Sequence, residues 1–222
     1  MESKAVNVTA RTLTTDEAIG RPEYNDLPIL RGKEFMIEAV FEGAKGHAFT
    51  NDPAPWSGRL EEVLAMPLAR NRDRAVLTAA MNAVLRHLGL VERTAHCRNE
   101  DIRLCGLEMT ERLRAEKGDV NVGIVGYQPG IVEGAVKAFG AERVFVTDLA
   151  SENIGRVVHG VEIKDGARAT EELFQRSDIV LATGSTAVGE DLDSTAYLPV
   201  VASDRAGDGE LYLGYIEILN HC

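Results

Sequence analysis

The sequence predicts an α/β protein of two packed units: an antiparallel sheet with helices, then an open, largely parallel sheet flanked by helices. Three observations predict it. Residues 120–148 read VNVGIVGYQPGIVEGAVKAFGAERVFVTD: an apolar run, a glycine turn, a helix opened by Pro129 and closed by Gly140, and a second apolar run. Residues 35–42 alternate, with Phe35, Ile37, Ala39 and Phe41 against Met36, Glu38, Val40 and Glu42, as in a half-buried strand. Hairpin-like alternation before residue 60 gives way to βαβ order after residue 119, so the units divide into 1–118 and 119–222 at the joint Gly118-Asp119.

In the first unit, Val6 and Val8 suit a short strand, and Thr15, Asp16 and Glu17 open a short helix ending near Gly20. The following RPEYNDLPILRGKE holds two prolines and reads as irregular. A tight reversal at 42–45 returns the strand of residues 35–41 as a second strand over 46–50. Residues 51–58, with the single Trp56, read as a proline-containing loop, and a helix over 59–66 stops at Pro67. The next helix runs to about His87 and is apolar on most faces, hence buried, with Gly89 beyond its end. Asn99 caps a helix to about Lys117, on which Ile102, Cys105, Met109 and Leu113 share one face.

In the second unit, residues 120–125 and 143–147 are the first two parallel strands, with Val132, Ala135, Val136 and Phe139 turned to the sheet. A short strand over 161–163, a helix over 168–176 and a buried strand over 179–182 follow. Residues 198–202 read as a further strand, 204–209 as a polar loop, and 211–219 fit helix or strand.

Composition narrows the function classes. A net charge of −11 without a basic tract argues against nucleic acid as partner. No run approaches the roughly 18 apolar residues of a membrane span, and the first residues lack the apolar core of a signal peptide, so a cytoplasmic protein is expected. Three cysteines, Cys97, Cys105 and Cys222, do not make a disulfide framework. A homodimer is the expected assembly, on the frequency of symmetric dimers alone.

Ligands of parallel sheets bind outside the carboxyl ends of the strands. Gly123, Gly126 and Gly130 are spaced GxxGxxxG, which is not the dinucleotide fingerprint, although Gly126, Tyr127 and Gln128 still lead into a helix start able to receive an anion. Asp148, 22 residues after Gly126, either accepts hydrogen bonds from a ribose or caps a turn. Thr183, Gly184, Ser185 and Thr186 either hold a carboxylate or phosphate or form a tight connection to a helix. Both loops should open on one crevice. Lys45 and His47 supply a positive charge and a proton-transfer group, or lie in an ordinary turn. His96, Cys97 and Cys105 suit a transition metal, though the spacing is not that of a zinc motif and Cys105 has the phase of a core thiol.

The segments DEAIGRPEYNDLPILRGKEFMIEA, GAKGHAFT, MNAVLRHLGLVERTAHC, VGIVGYQPG and DIVLATGST together resemble the heavy-metal chelation domain family of uncharacterised proteins, over most of the chain. The resemblance implies an enolase amino-terminal-like domain joined to a Rossmann-like domain, with a site in the cleft between them. It implies handling of a metal, metal chelate or small anionic ligand, a transition metal or metal chelate being the candidate cofactor. The matching cleft pieces are residues 45–47, Asn82, residues 126–129, Asp148 and residues 183–186; His96, Cys97 and Cys105 also match. The segment SDRAGDG at 203–209 departs from the threonine- and glycine-rich loop of that family. The alternative is an enzyme acting on a small anionic or nucleotide-like substrate, with Lys45 and His47 in the catalytic roles.

Overall fold

The computed structural model describes residues 7–183 and the backbone of two further strands, 202–204 and 211–212. Gly184, Ser185, Thr186 and Cys222 lie outside the described residues, as do residues 198–201 and most of 204–209 and 211–219. Among the described residues the strands form two sheets, and the expected α/β class holds: an enolase-N-like antiparallel unit precedes a Rossmann-like mixed sheet.

The first sheet comprises β1 (Asn7–Thr12), β2 (Phe35–Phe41), β3 (Ala44–Thr50) and β4 (Trp56–Arg59), in the spatial order β3-β2-β1-β4, all antiparallel. Helix α1 (Thr15–Ile19) opens with a capping box: the Glu17 N–H donates to Thr14 Oγ1, and the Thr14 N–H donates to Glu17 Oε2. Helices α2 (Leu60–Leu64), α3 (Asn71–His87) and α4 (Asp101–Lys117) follow. β4 corrects the expectation of a loop over 51–58. Its four residues carry almost no alternation, but β1 would otherwise be a bare edge, and Trp56 pairs with Ala10 there.

β2 also departs from expectation. It is buried on both faces, because Ile37 and Ala39 pack towards α3 while Met36 joins Leu13, Ile19, Leu27, Ile29 and Ile102 on the other side. The segment RPEYNDLPILRGKE is irregular as expected, apart from one 3-10 turn, and it covers this side of β2. Its Leu27 and Ile29 are buried beside a 3-10 turn at Pro28–Arg31.

The second sheet comprises β5 (Val122–Val125), β6 (Val144–Asp148), β7 (Val157–Val158), β8 (Val161–Asp165), β9 (Ile179–Ala182), β10 (Ala202–Asp204) and β11 (Leu211–Tyr212), in the order β11-β10-β9-β5-β6-β8-β7. β9, β5, β6 and β8 are parallel, and the outer strands pair antiparallel. Helix α5 (Pro129–Phe139) connects β5 to β6, and α6 (Gly166–Arg176) connects β8 to β9. The chain steps outward from β5 to β6 and β8, then returns to the other side of β5 as β9. The switch point is thus between β5 and β9, and the carboxyl ends of those two strands lie side by side.

Gly123, Gly130 and Gly134 are packing devices. A Cβ on Gly123 would stand 2.4 Å from Leu173 of α6. Gly130 and Gly134 let α5 lie directly on α4: a Cβ on Gly106 would meet the Gly130 carbonyl oxygen at 2.3 Å, and one on Gly134 would meet the Gly106 oxygen at 2.4 Å. α4 serves both halves, with Ile102 in the core beside β2, and Met109 and Leu113 in the core of the parallel sheet.

Candidate functional site

A cavity of about 170 Å³ lies where the first sheet, α4 and the switch point meet. Met36, Phe49, Ile102, Met109 and Ile131 give it a mostly apolar lining. His47, His96, Cys97, Cys105, Tyr127, Gln128 and Thr183 also line it. Residues predicted from four separate stretches therefore converge on one space. The apolar wall was not predicted; the period of its strands is visible in the sequence, but its partners are not.

β3 is the edge strand of the first sheet, and the segment 94–97 runs along it. The His47 N–H donates to the Thr94 carbonyl at 2.9 Å, and Thr94 Oγ1 donates to the Lys45 carbonyl. The His96 N–H donates to Nδ1 of His47 at 3.0 Å. Nδ1 of His47 is thus an acceptor, and the neutral ring carries its proton on Nε2, which faces Glu38 Oε2 at 3.4 Å. The Asn82 side-chain amide of α3 donates to the His47 carbonyl at 2.9 Å. Gly46 permits this approach, since a Cβ there would meet the Ala79 carbonyl oxygen at 2.2 Å.

Glu38, unpredicted as a site residue, anchors the arrangement. Its side chain is only 7% exposed and accepts Arg11 at 3.1 Å on one oxygen and Lys45 at 3.0 Å on the other. Burial would raise its pKa, but Lys45 and His47, with the charge of Arg11, hold it below the ordinary carboxylate range. Lys45 does not line the cavity; its amine is bound to Glu38, and its side chain is 57% exposed. His47 lines the cavity with both ring nitrogens engaged. Burial lowers its pKa, against the opposing pull of Glu38.

His96 differs. Its Nδ1 lies 2.7 Å from the Cys97 carbonyl oxygen and donates to it, which leaves the Nε2 lone pair directed away from the backbone, with no hydrogen-bond partner among the described residues. The ring packs edge-on against Phe49 at 5.1 Å. Burial lowers its pKa, so the neutral ring is favoured. Cys105 is half-buried and lines the cavity, where helical phase alone predicted a core thiol. Neither Cys97 nor Cys105 is in a disulfide. Among the described residues no three His, Cys, Asp or Glu side chains are gathered as a metal-holding group, so His96, Cys97 and Cys105 do not stand as a complete ligand set.

At the switch point, Gly126 turns with φ +87° and donates its N–H to the Thr147 carbonyl. Gln128 caps α5 through Oε1, which accepts the Ile131 N–H at 2.6 Å. Its side-chain NH₂ has no partner among the described residues. The Thr183 N–H donates to the Val125 carbonyl, which fixes the end of β9 against the end of β5. Asp148 does not line the cavity. Its carboxylate accepts the N–H groups of Tyr127 at 2.7 Å and Ala150 at 2.6 Å, and the Asn153 amide at 3.4 Å. It ties the β5 turn to the end of β6.

Two charge clusters clamp the amino-terminal wall to the second unit. Tyr127 donates its hydroxyl to Asp26, which also pairs with Arg156. Burial and the Asp26 charge push the Tyr127 phenol up to about 12. Glu133 accepts three bonds from Arg103, one from Lys137 and one from the Tyr24 hydroxyl. Comparison with protein-family models, curated proteins and solved structures returns no match.

Proposed function

We propose that the cavity binds a small, mostly apolar molecule or a metal chelate, and that His96 Nε2 is its polar anchor. The observation that supports this reading is the fixed tautomer of His96. An imidazole whose Nδ1–H is committed to a backbone carbonyl presents Nε2 as the arrangement typical of metal-ligating histidines. The volume is of the scale that holds a single small ring, about 150 Å³ for benzene.

Because no complete protein ligand set is gathered among the described residues, a metal would enter bearing most of its own donors, with His96 completing its coordination. The Gln128 NH₂ would meet an acceptor on the ligand edge. An anionic ligand has less support, since the amine of Lys45 is already neutralised by Glu38. The enzyme reading has less support too, because His47, its intended proton carrier, is hydrogen-bonded through both nitrogens. Homodimeric assembly and a cytoplasmic location stay part of the proposal.

The test is titration with copper(II)–iminodiacetate, a chelate with open positions, followed calorimetrically and by native mass spectrometry. One equivalent should bind, and His96→Ala should weaken binding at least tenfold. Equal binding by the variant would reject His96 as anchor.

A further inference from the structure

We propose that residues 21–33 form a strap that gates the cavity: closed, it is part of the cavity wall, and ligands enter and leave when it lifts. This rests on the cavity being a binding site, and its experiment reads access to the cavity without the chelate.

The strap has a lining side and a solvent side. Leu27, Pro28 and Ile29 line the cavity, and the Leu27 and Ile29 side chains are buried. Arg21, Glu23, Asn25, Leu30 and Arg31 are exposed. Among the described residues, a single run of chain therefore separates this part of the cavity from water.

Its backbone is not bonded into the fold. Among the described residues, its main-chain hydrogen bonds to other main-chain groups close within the strap: Leu30 N–H to the Leu27 carbonyl, Gly32 N–H to Ile29, and Lys33 N–H to Pro28. The Arg21 N–H donates to the Asn99 side chain at 2.9 Å and marks the fixed end. Residues 94–97 differ, since the Thr94 carbonyl accepts the His47 N–H of β3. The strap can thus lift without breaking a ladder. Gly20 at φ +63° and Gly32 at φ +66° stand near its two ends, where hinge rotation is absorbed.

Side chains hold it down. Asp26 accepts the Tyr127 hydroxyl at 3.1 Å and pairs with Arg156 at 2.8 Å. The Tyr24 hydroxyl donates to Glu133 at 2.7 Å, Glu23 stands 3.7 Å from Arg103, and Lys33 pairs with Glu152. Tyr127 itself lines the cavity, so the Asp26 tether joins the strap to the wall beside it. Exposed and half-exposed ion pairs hold weakly and are screened by salt. Burial of Leu27 and Ile29 draws the strap back after each opening. The closed form dominates, and exchange with the cavity waits on brief openings.

The experiment is labelling of Cys105, which lines the cavity, with N-ethylmaleimide on ligand-free full-length protein. Peptide mass mapping separates it from Cys97 and Cys222. The reagent is uncharged, so altered surface charge does not steer it. Asp26→Asn should raise the Cys105 rate roughly fivefold, the scale of one partly exposed ion pair. Glu152→Gln should raise it about two- to threefold, and the two changes together should multiply. Wild-type labelling should quicken with salt, and the double variant should lose most of that response. Glu172→Gln, which cuts the Lys164 and Arg176 pairs elsewhere, should change nothing. Each rate is also taken at low urea: lifting of a short strap leaves it nearly flat, and global unfolding makes it steep. Equal rates in wild type and both strap variants would overturn the proposal, as would a rise that carries the steep urea dependence of unfolding. If Asp26→Asn does not fold, Glu152→Gln and the salt response decide in the same terms. Labelling that follows the strap stands even if the chelate does not bind; chelate binding with labelling indifferent to the strap keeps the site and removes the gate.

Discussion

Gly106 of α4 lies so close to Gly130 of α5 that a Cβ on the first would come within 2.3 Å of the carbonyl oxygen of the second. The obstacle is backbone and cannot rotate aside. Gly106→Ala gains helix propensity of up to about 1 kcal/mol, but overpacking of this kind costs typically 1–3 kcal/mol. We expect a net loss of about 1–2 kcal/mol in urea unfolding; an unchanged or higher midpoint would show that the helices part without cost.

Glu38→Gln should lower the pKa of His47. Burial already favours the neutral ring, and Glu38 is the group opposing it. The His47 ring signals should titrate at lower pH in the variant, and a midpoint that stays or rises contradicts the assignment. Stability should fall by about 1–3 kcal/mol, a moderate cost because the partly exposed Arg11 and Lys45 can be resolvated.

Asp148→Ala should destabilise the protein by about 2–3 kcal/mol, since it removes a charged acceptor from two backbone N–H groups. Asp148→Asn, which keeps one good acceptor, should cost less. If instead stability is untouched and only ligand binding falls, the carboxylate serves a ligand and not the turn.

Acid stability should fall in two stages. Burial holds His47 and His96 below the ordinary imidazole range, so the unfolded chain binds more protons, and stability is lost as pH falls below about 6.5. Glu133, despite burial, is held down to about 2 by Arg103, Lys137 and Tyr24. Its contribution is present above the ordinary carboxylate pKa and is lost as pH falls from about 4.5 towards 2. Glu133→Gln should remove its share of that second stage, roughly 2–3 kcal/mol in size, and leave the first. Chemical unfolding at stepped pH measures both.

Much of the frame was legible because it rests on local pattern. The strand-turn-helix-strand of residues 120–148, the alternation of β2 and the short helix opened at Thr15–Glu17 depend on residues close in sequence. The adjacency of β5 and β9 at the switch point followed from parallel-sheet topology. Glu38 was not legible as an anchor, because alternation places it on the second face of a strand and cannot show that the face is covered. Gly130 looked like part of a ligand loop because its reason, Gly106, is 24 residues away on another helix. Asp148 presented the same ambiguity: a strand-end carboxylate can serve a ligand or a turn, and only the Tyr127 and Ala150 N–H groups show what it binds here. Lys45 and His47 were paired by proximity, and both meet Glu38, but they do not both reach the cavity. The lysine neutralises Glu38, and the histidine lines the cavity.

The placement of α4 bears on how the protein can be divided. A fragment starting at residue 119 would keep the strands of the parallel sheet but lose Met109 and Leu113 from its interior. It would also leave Gly130 and Gly134 as a bare groove along α5, cut to the width of a helix that is no longer present. The complementary fragment would end in a helix with half its apolar side in water. Each piece is the other's missing surface, so the two halves supplied as separate chains should recognise one another in solution, with the groove of α5 as the seam.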